Sequence, residues 1–205
     1  LHKGDKEMKK AENTILEVAD LFLTDRKMTL TKLNYLCYYA QAYHLAFLDR
    51  PLFEEDFIAW VKGPTSKVLH DKYKKKYNWF KDIPVKDSIK NDFSQESMWV
   101  LEMVREAYID YSDYEIEALA THEDPWIITR SGLSRLEKCE DPIKKEVIRE
   151  YYIQYTERQL ECPNCKERVD GHLSGKNESG AIVNYCRECK TEFIRTSDGD
   201  NFIKI

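Results

Sequence analysis

Four cysteines place the strongest constraint on this chain. Cys162-Pro-Asn-Cys165 and Cys186-Arg-Glu-Cys189 are two C-x2-C pairs separated by twenty residues. Two thiolates at that spacing turn toward one ion in a tight knuckle, and two knuckles complete the tetrahedral four-sulfur shell that structural zinc takes. A redox C-x-x-C is a single pair at a helix start in a β-α-β context. Here both pairs lie in turn-rich sequence beside the β-like runs Ala181 to Tyr185 and Thr191 to Arg195. The pattern predicts a small β-rich zinc ribbon over residues 161–205, with Zn2+ as a structural cofactor held by Cys162, Cys165, Cys186 and Cys189. Four thiolates leave no coordination position for water, so the ion organises structure and does not hydrolyse anything. So short a segment buries little apolar area, and metal binding supplies much of its folding free energy. His172 reads as a loop residue.

The remainder of the 205 residues is long enough to bury a core of its own. Hydrophobic residues at 42% and charged residues at 34% describe a globular chain rather than a disordered one. No apolar run reaches the roughly 18 residues that span a bilayer, and no signal-peptide pattern opens the sequence, which predicts a cytoplasmic protein without membrane partners. A net charge of −5 argues against a chain-wide nucleic-acid surface. Cys37 and Cys139 stand apart from the paired cysteines. Cys37 lies in an apolar helical stretch and reads as a buried thiol, and no disulfides are expected.

Periodicity predicts a mainly α domain with one or two short strands over residues 12–158. Ile15, Val18, Ala19 and Phe22 mark one face of a first helix. Thr29 caps a second, to about Leu48, with Leu33, Leu36, Cys37, Ala40, His44 and Phe47 on one side. Phe57 to Val61 is too short and apolar for a surface helix and reads as extended. Gly63-Pro64-Thr65 then turns a corner, Gly taking the unusual backbone angle and Pro starting the next helix. That helix carries Val68, Leu69 and Tyr73 and ends in the basic run Lys72 to Tyr77. Residues 78 to 93 read as a long loop. Ser94 caps a third long helix with Met98, Leu101, Val104 and Tyr108, and a shorter helix includes Ile116 to Ala120. The last long helix is expected to begin at Asp141-Pro142 and to repeat Ile143, Val147, Ile148, Tyr151 and Tyr155.

Catalytic signatures are few. His2, His44, His70 and His172 occur singly, without metal-ligand spacing. His122 lies in Thr121-His-Glu-Asp-Pro-Trp126, where adjacent acids do not face it on a helix. A structural turn fits this segment better: Thr121 caps, Pro125 starts the next turn and Trp126 anchors it in the core.

Three segments together resemble a known family. Leu33-Asn-Tyr-Leu-Cys-Tyr-Tyr-Ala-Gln-Ala-Tyr-His-Leu-Ala, then Pro51-Leu-Phe, then Ile58-Ala-Trp-Val-Lys-Gly-Pro-Thr, are similar to the helix, turn and GP corner of the Panacea antitoxin domain. Leu119-Ala-Thr-His-Glu-Asp-Pro-Trp is similar to its THxxxPW segment. The resemblance covers about residues 12 to 155. It implies a compact helical antitoxin domain that binds and neutralises a protein toxin, commonly encoded by a neighbouring gene in bacteria or prophages, and it brings no catalytic chemistry. The cysteine module lies outside the shared domain.

The residues expected to serve partner binding are Trp60, Gly63, Pro64, His122, Pro125 and Trp126, which match family motifs. Lys74, Lys75 and Lys76 form a second candidate patch. Trp60 and Trp126 fit core anchors better than contacts, because a large aromatic beside a turn packs inward. Two alternatives come from other classes. One is a DNA-binding regulator or protein adaptor working through the cysteine module, where Arg187, Lys190 and Arg195 are offset by Glu167, Asp170, Glu178 and Glu188. The other is an enzyme using His44 or His122.

Overall fold

A computed structural model of the chain describes residues 10–77, 81–87, 92–157, 160–169, 175–176, 182–186, 188–195 and 202–204. Among them the protein is mainly α, with seven helices and short strands. Hydroxyl caps decide where most of the helices start. Thr14 opens α1 (Ile15–Asp25), Thr29 opens α2 (Leu30–Leu48), and Ser66 opens α3 (Lys67–Tyr73). Ser94 opens α4 (Gln95–Tyr108) and Ser112 opens α5 (Asp113–Ala120). In each case the side-chain oxygen accepts a backbone N–H of the first turn, which would otherwise be unpaired. At Thr14 and Ser112 a glutamate three residues on returns the bond, closing a capping box. Helix α6 (Asp124–Thr129) has no such cap and carries Pro125 in its first turn, and α7 spans Lys145–Glu157.

The chain divides into two compact units, Leu1–Ile153 and Gln154–Ile205. In the first, α2 is the axis. Every residue from Leu30 to Leu45 is buried, so this helix has no solvent face. The one-sided stripe expected from the sequence is thus too narrow, because α1, α3, α4, α5 and a small hairpin all pack around α2. Its tyrosines form the centre of an aromatic core. Tyr38 meets Tyr39 and Phe57 edge-on at 5.5 and 5.3 Å, while Tyr39 stacks on Tyr108 of α4 at 4.1 Å.

The hairpin pairs β1 (Ile58–Trp60) with β2 (Gly63–Thr65). The corner differs from expectation. Pro64 does not start a helix; it lies opposite Ala59 in β2, where its missing N–H leaves no gap in so short an edge strand, and Ser66 caps α3 instead. A second correction concerns Asp141-Pro142. Asp141 O accepts from Ala59 N at 3.0 Å, and Ile143 N donates to Phe57 O at 2.7 Å. This segment therefore satisfies the other edge of β1, and α7 starts only at Lys145. Residues 81–87 of the expected loop are pinned by mutual backbone bonds between Met28 and Ile83, and Ile83 is buried.

In the second unit β3 (Leu160–Glu161) pairs with β4 (Arg168–Val169). A four-stranded antiparallel sheet runs β5 (Gly175–Lys176), β6 (Ile182–Tyr185), β7 (Glu192–Arg195) and β8 (Phe202–Lys204). Strands β6 and β7 are the two β-like runs read from sequence. His2, Asp170, His172, Glu178, Ala181 and Arg187 lie outside the described residues.

Candidate functional site

The motif residues on α2 hold backbone. Asn34 Nδ2 donates to Pro64 O at 2.7 Å, and its Oδ1 accepts Ser66 N at 2.9 Å, so one amide clamps both sides of the GP corner. Gln41 does the same for the Pro51-Leu52-Phe53 turn. Its Oε1 accepts Leu52 N and Phe53 N, and its Nε2 donates to Phe53 O. His44 is buried, with Nδ1 at 2.8 Å from Arg50 O and Nε2 at 3.0 Å from Ser97 Oγ; burial pushes its pKa down. Buried polar groups need partners of this kind, and here each joins a loop to the central helix. Cys37 is likewise buried, and burial pushes its thiol well up.

Gly63 has φ +121°, and a Cβ there would fall 2.5 Å from Tyr35 Oη. The Tyr35 hydroxyl donates to Lys62 O, which locks the bend between the two strands. Lys74, Lys75 and Lys76 follow α3 and are exposed; Lys74 pairs with Asp71.

The Thr121–Trp126 segment also departs from its expected roles. Thr121 Oγ1 donates back to Glu117 O and Ala118 O, so it ends α5 instead of capping α6. His122 is exposed, with Nδ1 at 2.6 Å from Ala118 O. Pro125 is buried in the first turn of α6, as expected. Neither tryptophan is a fully buried anchor. Trp60 and Trp126 are both half-buried, because the hairpin and α6 meet at the rim of the core. Trp126 Nε1 donates to Trp60 O at 2.8 Å. Arg130 lies over the Trp126 ring, donates to Ala59 O, and caps the carbonyls of Ser134, Arg135 and Glu137.

Glu123 was not singled out by sequence reasoning. Tyr39 and Tyr152 donate to its two carboxylate oxygens at 3.2 and 2.8 Å. Burial pushes this carboxyl up to about 7, against the pull of the two hydroxyls. A tyrosine on α2 and another on α7 are far from Glu123 in sequence, so no local spacing signals the cluster.

The four paired cysteines converge. Their sulfurs lie within 4.8 Å of one another, and Cys162 and Cys186 are buried with Phe193. Both knuckles are built alike. Cys162 N donates to Glu167 O and Cys186 N to Thr191 O, in each case five residues on. Lys166 and Lys190, each directly after the second cysteine, adopt the left-handed conformation at φ 61° and 60°. Strands β3 and β4 flank the first knuckle, and β6 and β7 flank the second. Four sulfurs around one ion at the usual metal–sulfur distance of about 2.3 Å sit roughly 3.8 Å apart, so the cluster is compatible with a metal site.

Together these features define a helical domain whose motif residues brace its own loops, followed by a separate four-thiol module. Residues 33–127 match the family model described as antitoxin SocA-like, Panacea domain. That match spans a little under half of the chain. No curated protein and no solved structure matches it. No helix among the described residues is long and apolar enough to cross a membrane.

Proposed function

We propose that this protein is an antitoxin that neutralises a cognate protein toxin by direct contact, the toxin being encoded by a neighbouring gene of a bacterial or prophage system. The match of residues 33–127 to the antitoxin SocA-like Panacea domain carries this reading. The polar motif residues fit it, because Asn34, Gln41 and His44 spend their hydrogen bonds on backbone groups and on Ser97. In this reading the protein acts by binding and not by catalysis. Trp60, Gly63, Pro64, His122, Pro125 and Trp126 build or border the contact surface, and Lys74, Lys75 and Lys76 offer a second patch.

The convergence of Cys162, Cys165, Cys186 and Cys189 supports a structural zinc in the C-terminal module. A closed four-thiolate shell supplies folding free energy and no catalytic water.

The test is growth. Each gene flanking this one is induced in a bacterial host, alone and with this protein, and with a version ending near Leu160. Rescue from one toxic neighbour by the full chain is the expected result. Persistent toxicity despite soluble expression, or no toxic neighbour, overturns the antitoxin reading. The shortened version reports whether the cysteine module takes part.

A further inference from the structure

The two knuckles of the cysteine module bury their sulfurs unequally. The first cysteine of each pair is closed off: Cys162 is fully buried and Cys186 is 1% exposed, both packed with Phe193. The second cysteine of each pair, Cys165 or Cys189, is only partly buried. Each knuckle therefore holds one sulfur that a small solute can reach and one that it cannot.

Close sulfur–sulfur approaches cross from one knuckle to the other. Cys189 Sγ lies 3.4 Å from Cys162 Sγ, and Cys165 Sγ lies 3.5 Å from Cys186 Sγ. In both cases an accessible sulfur faces a buried sulfur of the opposite knuckle. Local bonds hold this arrangement: Lys166 N donates to Cys162 O at 3.0 Å, and the buried Thr191 places its Oγ1 3.1 Å from Cys189 Sγ. Oxidation of cysteine follows exposure and thiolate character, and a second sulfur within reach resolves the first product. A metal shell of four sulfurs holds them as thiolates. Cys37 and Cys139 lack these features, since both are buried and neither belongs to the sulfur cluster.

We propose that the module is a peroxide-oxidation site in which the accessible cysteines pair with the buried ones across the knuckles, as Cys165–Cys186 and Cys162–Cys189 disulfides. This rests on the metal-site reading of the module and not on the antitoxin role. The thiolate of Cys165 or Cys189 attacks one oxygen of hydrogen peroxide, and the O–O bond breaks to leave a sulfenic acid and hydroxide. The facing thiolate then attacks that sulfur, the S–O bond breaks, and a second hydroxide leaves. Each disulfide thus takes two electrons from sulfur and reduces one peroxide to two hydroxides, which take protons from solvent. Losing its thiolate donors frees the metal. The cross-knuckle bonds also take over the role of the ion, because they tie the two turns together across 27 and 21 residues. Disulfides within each C-x2-C pair would leave the turns unjoined.

The zinc-loaded full chain is treated with hydrogen peroxide while a colorimetric zinc chelator follows release and peptide mass spectrometry follows the sulfurs. About one zinc per chain is expected to leave as about two peroxides are consumed. Trypsin cuts after Lys166, Arg187 and Lys190, which separates Cys186 from Cys189. Digestion without reductant is expected to give one species in which the peptide holding Cys162 and Cys165 is joined to both others. Fragmentation between Cys162 and Cys165 then assigns each bond. Cys37 and Cys139 remain thiols, dithiothreitol with zinc restores the loaded state, and the oxidised tail resists protease better than the reduced, chelated one. Bonds Cys162–Cys165 with Cys186–Cys189, or Cys162–Cys186 with Cys165–Cys189, overturn the proposal. So do sulfinic acids in place of disulfides, thiols that stay reduced in excess peroxide, or an oxidised tail as labile as the chelated one. A chain that takes up no zinc removes the metal reading, while the peptide map of the same sample still judges the oxidation site.

Discussion

Glu123 shows how one side chain couples this fold to pH. Its carboxyl rises from the usual 4.5 to about 7, so between those values the folded protein holds a proton that the unfolded chain has lost. The associated stability is complete below about pH 4.5 and is lost as pH rises through about 7. Glu123→Gln keeps a hydrogen-bonding group between Tyr39 and Tyr152 without the charge. It is expected to stabilise the protein by about 2–3 kcal/mol at pH 8 and by almost nothing at pH 4, measured by urea denaturation at each pH. A gain that does not vary with pH would show that the carboxyl does not titrate in this range. Gln41 illustrates a different cost. Gln41→Leu strands Leu52 N, Phe53 N and Phe53 O in a buried turn and should destabilise by about 2–4 kcal/mol in the same assay. Sequence alone marked Gln41 as part of a recognisable motif, but which backbone it serves depends on where Pro51-Leu52-Phe53 returns to α2.

At the scale of elements, caps and periodicity located the helices well, because both are local. Thr14, Thr29 and Ser94 all stand where the expected helices begin. The departures occur where a distant backbone competes. Asp141-Pro142 has the local signature of a helix start, yet Ala59 N and Phe57 O draw its neighbours into extended pairing. Gly63 was legible as a corner glycine, and the structure adds the Tyr35 ring pressed against it. Gly63→Ala meets both a positive φ and a Cβ clash, and should cost about 2 kcal/mol or more. Adding Tyr35→Phe removes the nearest atom but not the backbone strain, so only part of the loss should return, as read by a double-mutant cycle in thermal or chemical unfolding. Full restoration would place the whole effect in the tyrosine contact.

For the whole molecule, the two compact units predict separable responses to metal removal. Chelation is expected to release about one equivalent of zinc per chain and to collapse the amide spectrum of the cysteine module. The near-ultraviolet signal of the tyrosine-rich helical unit should persist, since its core of Tyr38, Tyr39, Tyr43 and Tyr152 involves no cysteine of the cluster. Cys186→Ser should reproduce the chelated state. Retained protease resistance of the tail after zinc removal would mean that the module folds without metal.

From the sequence by itself came the helical class, the caps at Thr29 and Ser94, and the convergence of Cys162, Cys165, Cys186 and Cys189, because each is written in short-range spacing. The tertiary structure alone decided the burial of α2 on all sides, the enclosure of Glu123 by tyrosines from two other helices, and the partly buried state of Trp60 and Trp126. It also decided which apolar side chains of α5 and α6 remain uncovered. Those outcomes depend on which surfaces meet, and a side chain's solvation and hydrogen-bond partners exist only after long-range packing has chosen its neighbours.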